Sequence, residues 1–127
     1  MSFRFLGKTL AGVGLASLLV ASAAAHHGWS WAEADQIELT GEIRAISFAP
    51  PHPSLEIETP DGSWNVELGN PGQTQRAGFV QGVADVGDKV TVLGNRSLDP
   101  DEKRLKAVRV TVSGETYDIY PARIQGN

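Results

Sequence analysis

The run "LEIETPDGSWNVELG" at residues 55–69 constrains this chain more than any other stretch. Apolar side chains at Leu55 and Ile57, then at Trp64, Val66 and Leu68, alternate with polar ones. A period of two turns one side of an extended strand toward a core and the other toward water. Between the halves, "DG" supplies the turn. The stretch therefore predicts a β-hairpin with Leu55, Ile57, Trp64, Val66 and Leu68 facing inward.

The rest of the chain is organised around this hairpin. "QIELTGEIRAISF" at 36–48 predicts a long strand with apolar positions at Ile37, Leu39, Ile43, Ile46 and Phe48, bent or bulged at Gly41. "PPHPS" forbids regular structure, because its prolines remove backbone donors and fix φ. The glycine-rich middle predicts a short helix or turn around 74–81 that packs Phe79 and Val80 on the core. A strand follows from Lys89 to Gly94, then the polar loop "LDPDEKRL". A returning strand carries Leu105, Ala107 or Val108, Val110 and Val112, and "ETYDIYPARI" adds a short last strand. Five or six short strands, with a long bent first strand and a connection after the third, predict an all-β fold. The expected form is a small antiparallel barrel of the oligomer-binding (OB) type, with a sandwich as the alternative topology.

Residues 1–25 read differently. Arg4 and Lys8 precede an apolar run from Leu10 to Val20, small residues end at Ala25, and no acid appears. This is the pattern of a secretory signal peptide, too short in its apolar part for the roughly 20 residues of a membrane helix. Small residues at −3 and −1 permit cleavage after Ala23, Ala24 or Ala25. Cleavage after Ala25 makes His26 the first residue of a periplasmic or secreted chain and leaves 26–127 as one barrel domain. That processing takes Lys+Arg from 11 to 9 against 15 Asp+Glu, so the formal charge moves from −4 to −6. Such a surface repels polyphosphate, and nucleic acid is not an expected partner. No membrane span is expected after processing. The chain has no cysteine, which removes disulfides, thiolate metal sites and cysteine nucleophiles.

All three histidines, His26, His27 and His52, lie at the expected mature start or in the proline loop. Loop solvation accounts for His52, and a frayed terminus for the other two, without any ligand. A sharper expectation follows if His26 is residue one. Its α-amine and imidazole Nδ1 can chelate one metal ion, and a second imidazole completes the three nitrogens of a histidine brace. Nitrogen donors in a tetragonal plane suit Cu(II), which heads the divalent affinity order. His52 is the first choice for the third nitrogen and His27 the competitor. A start at Ala25 instead makes His27 the third residue of a square-planar peptide chelate, also selective for copper. Glu33 and Asp35 are candidates for an axial oxygen or a supporting hydrogen bond, with solvated surface charge as their ordinary role.

The quoted motifs "AHHGWSW", "ELTGEI", "APPHP" and "GDKVTVLGNRS" resemble a domain-of-unknown-function family of short exported bacterial proteins with a mature His-His start and a Pro-His loop. The resemblance implies a periplasmic barrel and maps the family's histidines onto His26, His27 and His52, with Pro50 where the family carries asparagine. It implies no activity.

Trp29, Trp31 and Trp64 are read as apolar plugs of the barrel, or else as an aromatic platform for a sugar or peptide. Lys103, Arg104 and Lys106, preceded by Asp99, Asp101 and Glu102, are read as a solvated loop. No serine stands in a nucleophile-elbow context and no carboxylate pair is set for acid–base work, so enzymatic activity is not expected; a small copper oxidative enzyme is the weakest of the readings. The expected function is copper capture or delivery, in exchange with another periplasmic protein. The rival is a metal-free OB-like barrel that binds a peptide, glycan or partner protein.

Overall fold

The computed structural model describes residues 28–126. The chain divides into two compact units, Met1–Ser30 and Trp31–Asn127. Of the first, only 28–30 are described, as a turn that includes Trp29. The leader expected over 1–25, and with it His26 and His27, lies outside the described residues.

The second unit is a sheet of six strands: β1 (Ala32–Ser47), β2 (Ser54–Thr59), β3 (Gly62–Glu67), β4 (Lys89–Ser97), β5 (Arg104–Val112) and β6 (Glu115–Asp118). A short helix, α1 (Pro71–Arg76), joins β3 to β4, and a 3-10 turn, Pro121–Arg123, follows β6. Neighbours run β3-β2-β1-β4-β5-β6, and a parallel pairing of β3 with β5 closes the first five into a ring. This is the small barrel of OB type that the strand pattern predicts; the sandwich is not formed.

β1 is long because it serves two neighbours. Its first part pairs with β4, from Ala32↔Ser97 to Glu42↔Lys89, and its last part with β2, from Glu42↔Glu58 to Ser47↔Ser54. The bulge expected at Gly41 falls instead between Ile43 and Ala45. Gly41 matters for a different reason. A Cβ there would overlap the Glu58 carbonyl oxygen, so glycine lets the coiled β1 press on β2. The hairpin forms as expected, with Leu55, Ile57, Trp64, Val66 and Leu68 all buried. With Leu39, Ile43, Phe79, Val90, Val92, Leu105, Val110, Val112 and Ile119 they fill the barrel.

Three expectations need correction. The helix starts earlier, because Asn70 caps it by accepting from Gln73 N at 2.8 Å and Pro71 presets its first turn. Phe79 is buried, but Val80 is 39% exposed and does not pack inside. β4 runs on to Ser97, and β5 resolves the Ala107/Val108 ambiguity by a register shift opposite Leu93/Gly94. Ala107 joins the core, while Val108 is buried outside that cluster and its carbonyl accepts from Ile119 N and Tyr120 N. Among the described residues no helix is long and apolar enough to cross a membrane.

Gly41→Ala must push β1 away from β2, so the substitution is expected to lower stability by about 1–3 kcal/mol, as overpacking does, read as a drop in the urea midpoint at unchanged slope.

Candidate functional site

Hairpin register fixes which side chains face out at the closing seam. Leu55 pairs with Val66 and Ile57 with Trp64, all inward, so the next pair, Ser54 with Glu67, takes the outer face. Across the seam, Asn65 pairs with Arg104, Val66 with Leu105 and Glu67 with Lys106. Alternation thus gathers Glu67, Arg104 and Lys106 on the outside of the barrel where its two ends meet. The solvated-loop expectation holds for the exposed Lys103, Asp99, Asp101 and Glu102 but not for Lys106, which is only 1% exposed; Arg104 is half-buried and Glu67 is 8% exposed. Cover comes in part from the C-terminal segment, whose Tyr120 ring centroid lies 5.6 Å from Lys106 Nζ. Trp31 adds more, with its ring centroid 3.6 Å from the Arg104 guanidinium carbon.

Within this cover the charges are paired. Lys106 Nζ donates to Glu67 Oε1 at 3.0 Å and to the Leu68 carbonyl at 3.1 Å, and Arg104 Nη2 donates to Glu67 Oε2 at 2.7 Å. Arg104 also approaches Glu102 at 3.7 Å. Burial pushes the Glu67 carboxyl up, yet the hydrogen bonds from Arg104 and Lys106 and the charges of Lys106 and His52 together hold it below its ordinary value. Burial pulls the Lys106 ammonium down, helped by Arg104 and Arg123, and outweighs the pull of Glu67 in the other direction. The Tyr120 phenol is pushed up by burial and then by the Glu67 charge.

The proline loop brings His52 to the same carboxylate. His52 Nδ1 lies 3.1 Å from Glu67 Oε1, and the imidazole remains 34% exposed. The loop is tied down next door, where Leu68 N donates to the Pro53 carbonyl at 2.8 Å. Pro53 also lines a shallow groove of about 260 Å³, together with Phe48, Pro71, Thr74, Phe79 and Val80.

The other expected site residues fall elsewhere. Glu33 is half-buried and Asp35 exposed, both near the start of β1, and Asn95 Nδ2 donates to the Glu33 carbonyl at 2.9 Å. Among the described residues, no three His, Asp or Glu side chains form a group that could hold a metal ion. Trp64 is 4% exposed in the core, which is the plug role and removes it from any surface platform. Trp31 is half-buried beneath Arg104. Sequence reasoning passes over Glu67 and Tyr120 and reads Arg104 and Lys106 only as part of a solvated loop. The signal available was Lys106 itself, a charge inside the otherwise apolar strand "LKAVRV".

The outer wall of β1 and β2 is acidic. Glu38, Glu42, Glu56 and Glu58 are all exposed, and Glu42 and Glu58 are direct cross-strand partners. Such a wall repels phosphate.

Fold and site together define a small OB-type barrel whose closing seam carries a covered ionic cluster in contact with a loop histidine. The chain belongs to a family of unknown function (DUF6152), whose model matches residues 14–106, a span that includes all three histidines and Glu67, Arg104 and Lys106. No curated protein matches the chain in sequence. Among solved structures it is similar to a ZRD-deleted mutant of TiaS in complex with agmatine, at 18% identity and a TM-score of 0.50 over 66% of this chain and 26% of that one. A tRNA fluorescent labeling enzyme aligns at 19% identity and TM-score 0.48, over 61% of this chain and 17% of the other. The mitochondrial single-stranded DNA binding protein Rim1 of S. cerevisiae aligns at 15% identity and TM-score 0.47, over 62% of this chain and 94% of the other. This chain thus spans about a quarter of the TiaS mutant and less of the labeling enzyme. At these identities the likeness concerns the fold alone.

Lys106→Ala leaves Glu67 in its covered position without its buried cation and is expected to cost about 3–5 kcal/mol in urea unfolding at neutral pH. Glu67→Leu combined with Lys106→Met removes both charges at similar volume and is expected to fall within about 1 kcal/mol of the parent or above it. Because the Glu67 carboxyl titrates lower in the fold than in the unfolded chain, its contribution is present above the unfolded value and lost as pH falls through the folded one. Stability measured down to acid pH is therefore expected to fall more steeply for the parent than for the double variant.

Proposed function

We propose that the chain is exported, and that its processed form captures or passes on a copper ion through the α-amine and imidazole of His26 together with the imidazole of His52. The observation that carries this reading is the contact of His52 Nδ1 with Glu67 at 3.1 Å. Histidines that ligate metals characteristically give their second ring nitrogen to a carboxylate or carbonyl, which fixes the ring and raises its basicity. A proline-flanked loop tied to β3 adds to this, since little backbone freedom remains to be lost when a ligand binds. Three nitrogen donors without thiolate favour Cu(II) over zinc, and the scarcity of converging oxygens disfavours calcium. The partner that gives or receives the ion would be another periplasmic protein.

A second reading has its own observation in the groove beside Pro53. Phe48, Phe79 and the exposed Val80 offer an apolar seat for a peptide, glycan or partner side chain on a metal-free barrel.

Mass spectrometry of secreted protein is expected to give His26 as the first residue. One equivalent of Cu(II) is then expected to produce a d–d absorption band that weakens as pH falls, because amine and imidazole must shed protons to bind. His52→Ala is expected to weaken Cu(II) binding at least tenfold with the fold intact. A chain that begins at Ala25 behaves otherwise: His27→Ala abolishes its copper band and His52→Ala leaves it unchanged. Absence of any copper-dependent change in spectrum or melting point would leave the groove reading standing.

A further inference from the structure

We propose that Glu67 is a positioning residue that selects which nitrogen of His52 is offered to a metal: it holds the proton on Nδ1 and leaves the lone pair on Nε2. This inference rests on the copper reading above.

The hydrogen bonds of the carboxylate are the basis. Glu67 Oε2 accepts from Arg104 and Oε1 accepts from Lys106, and both partners possess donors only. His52 Nδ1 approaches the same Oε1 at 3.1 Å. A protonated Glu67 would set its O–H against one of these cations, so the carboxylate can only accept. The imidazole nitrogen facing it must then be the one that bears hydrogen, and in the neutral ring Nε2 is left with the lone pair.

The carboxylate itself is held from several sides. Glu67 is fixed by its β2 partner Ser54, by its seam partner Lys106 and by two charged hydrogen bonds. Lys106 is held in turn by the Leu68 carbonyl, and Leu68 N ties the loop at Pro53. The imidazole is thus referenced at two points to the end of β3, once through its ring and once through the backbone next to it. A ring held in this way meets an incoming ion without searching tautomers or rotamers.

Long-range 1H–15N spectra of the metal-free processed chain, with histidine labelled, read the tautomer directly at a pH where His52 is neutral. The parent is expected to give the Nδ1–H pattern. The double variant E67L/K106M, which removes the carboxylate and its cation together, is expected to shift His52 toward the Nε2–H form. Its Cu(II) affinity, measured against a chromophoric competing chelator, is expected to fall about 10–100-fold. Glu67→Gln keeps an acceptor oxygen and is expected to retain the Nδ1–H tautomer with a smaller loss; it also serves if the double variant does not fold. A folded E67L/K106M protein with parental affinity overturns the positioning role, as does an E67Q protein whose His52 moves to the Nε2–H form with affinity unchanged, while a large loss in His52→Ala alone keeps the copper reading. A parent spectrum that shows Nε2–H overturns the assignment whatever copper does. Unchanged affinity in His52→Ala removes the copper role of both residues.

Discussion

The barrel depends on one short seam. Only three residue pairs join β3 to β5, and they convert an open sheet into a ring. The last of them sets Glu67 against Lys106 under cover of the C-terminal segment and beside Arg104 on Trp31. A buried ion pair adds little net stability compared with apolar residues of the same size. It is demanding about alignment, however. A one-residue slide of β5 would oppose Glu67 to Leu105 or Ala107 and pull the two charges apart. The pair therefore fits only the register observed, in which Glu67 stands opposite Lys106.

Legibility in the sequence followed from how much each residue's role depended on its neighbours in the chain. The hairpin was readable because Leu55, Ile57, Trp64 and Val66 alternate strictly, and its inward set is the buried one. The barrel followed from the spacing of such segments. The first residues of β1, "AEAD", are not readable because they have no apolar period; pairing of Ala32 with Ser97 and the hydrogen bonds of Asn95 to the Glu33 and Ala34 carbonyls make them strand. The helix carried its start signal in Asn70 and Pro71, but the apolar Phe79 and Val80 drew the expectation downstream. Gly41 stands out in the sequence as a break in the alternation, but the close approach to a carbonyl on the neighbouring strand that requires it leaves no local trace.

The site was half legible. His52 stood out by its prolines, yet its neighbours Glu67, Arg104 and Lys106 looked like outward strand and loop charges, which is what alternation alone makes of them. Their burial arises from residues far away in the chain, Trp31 and Tyr120 among them, so no local pattern encodes it. His26 and His27 lie outside the described residues. Membership in a family of unknown function adds an address for the fold and none for the chemistry.

The carboxylates on the outer wall of β1 and β2 have a consequence at longer range. Glu38, Glu42, Glu56 and Glu58 are exposed on these two strands of a chain that is already acidic and outnumber Arg44, which pairs with Glu42, and Lys89, which stands opposite it. Their summed field enriches the surrounding solution in small cations and thins it of nucleotides and other polyanions. A positively charged visitor reaches this surface sooner than diffusion to a neutral sphere would bring it, and background salt erodes that advantage within a distance of about 8 Å at physiological ionic strength.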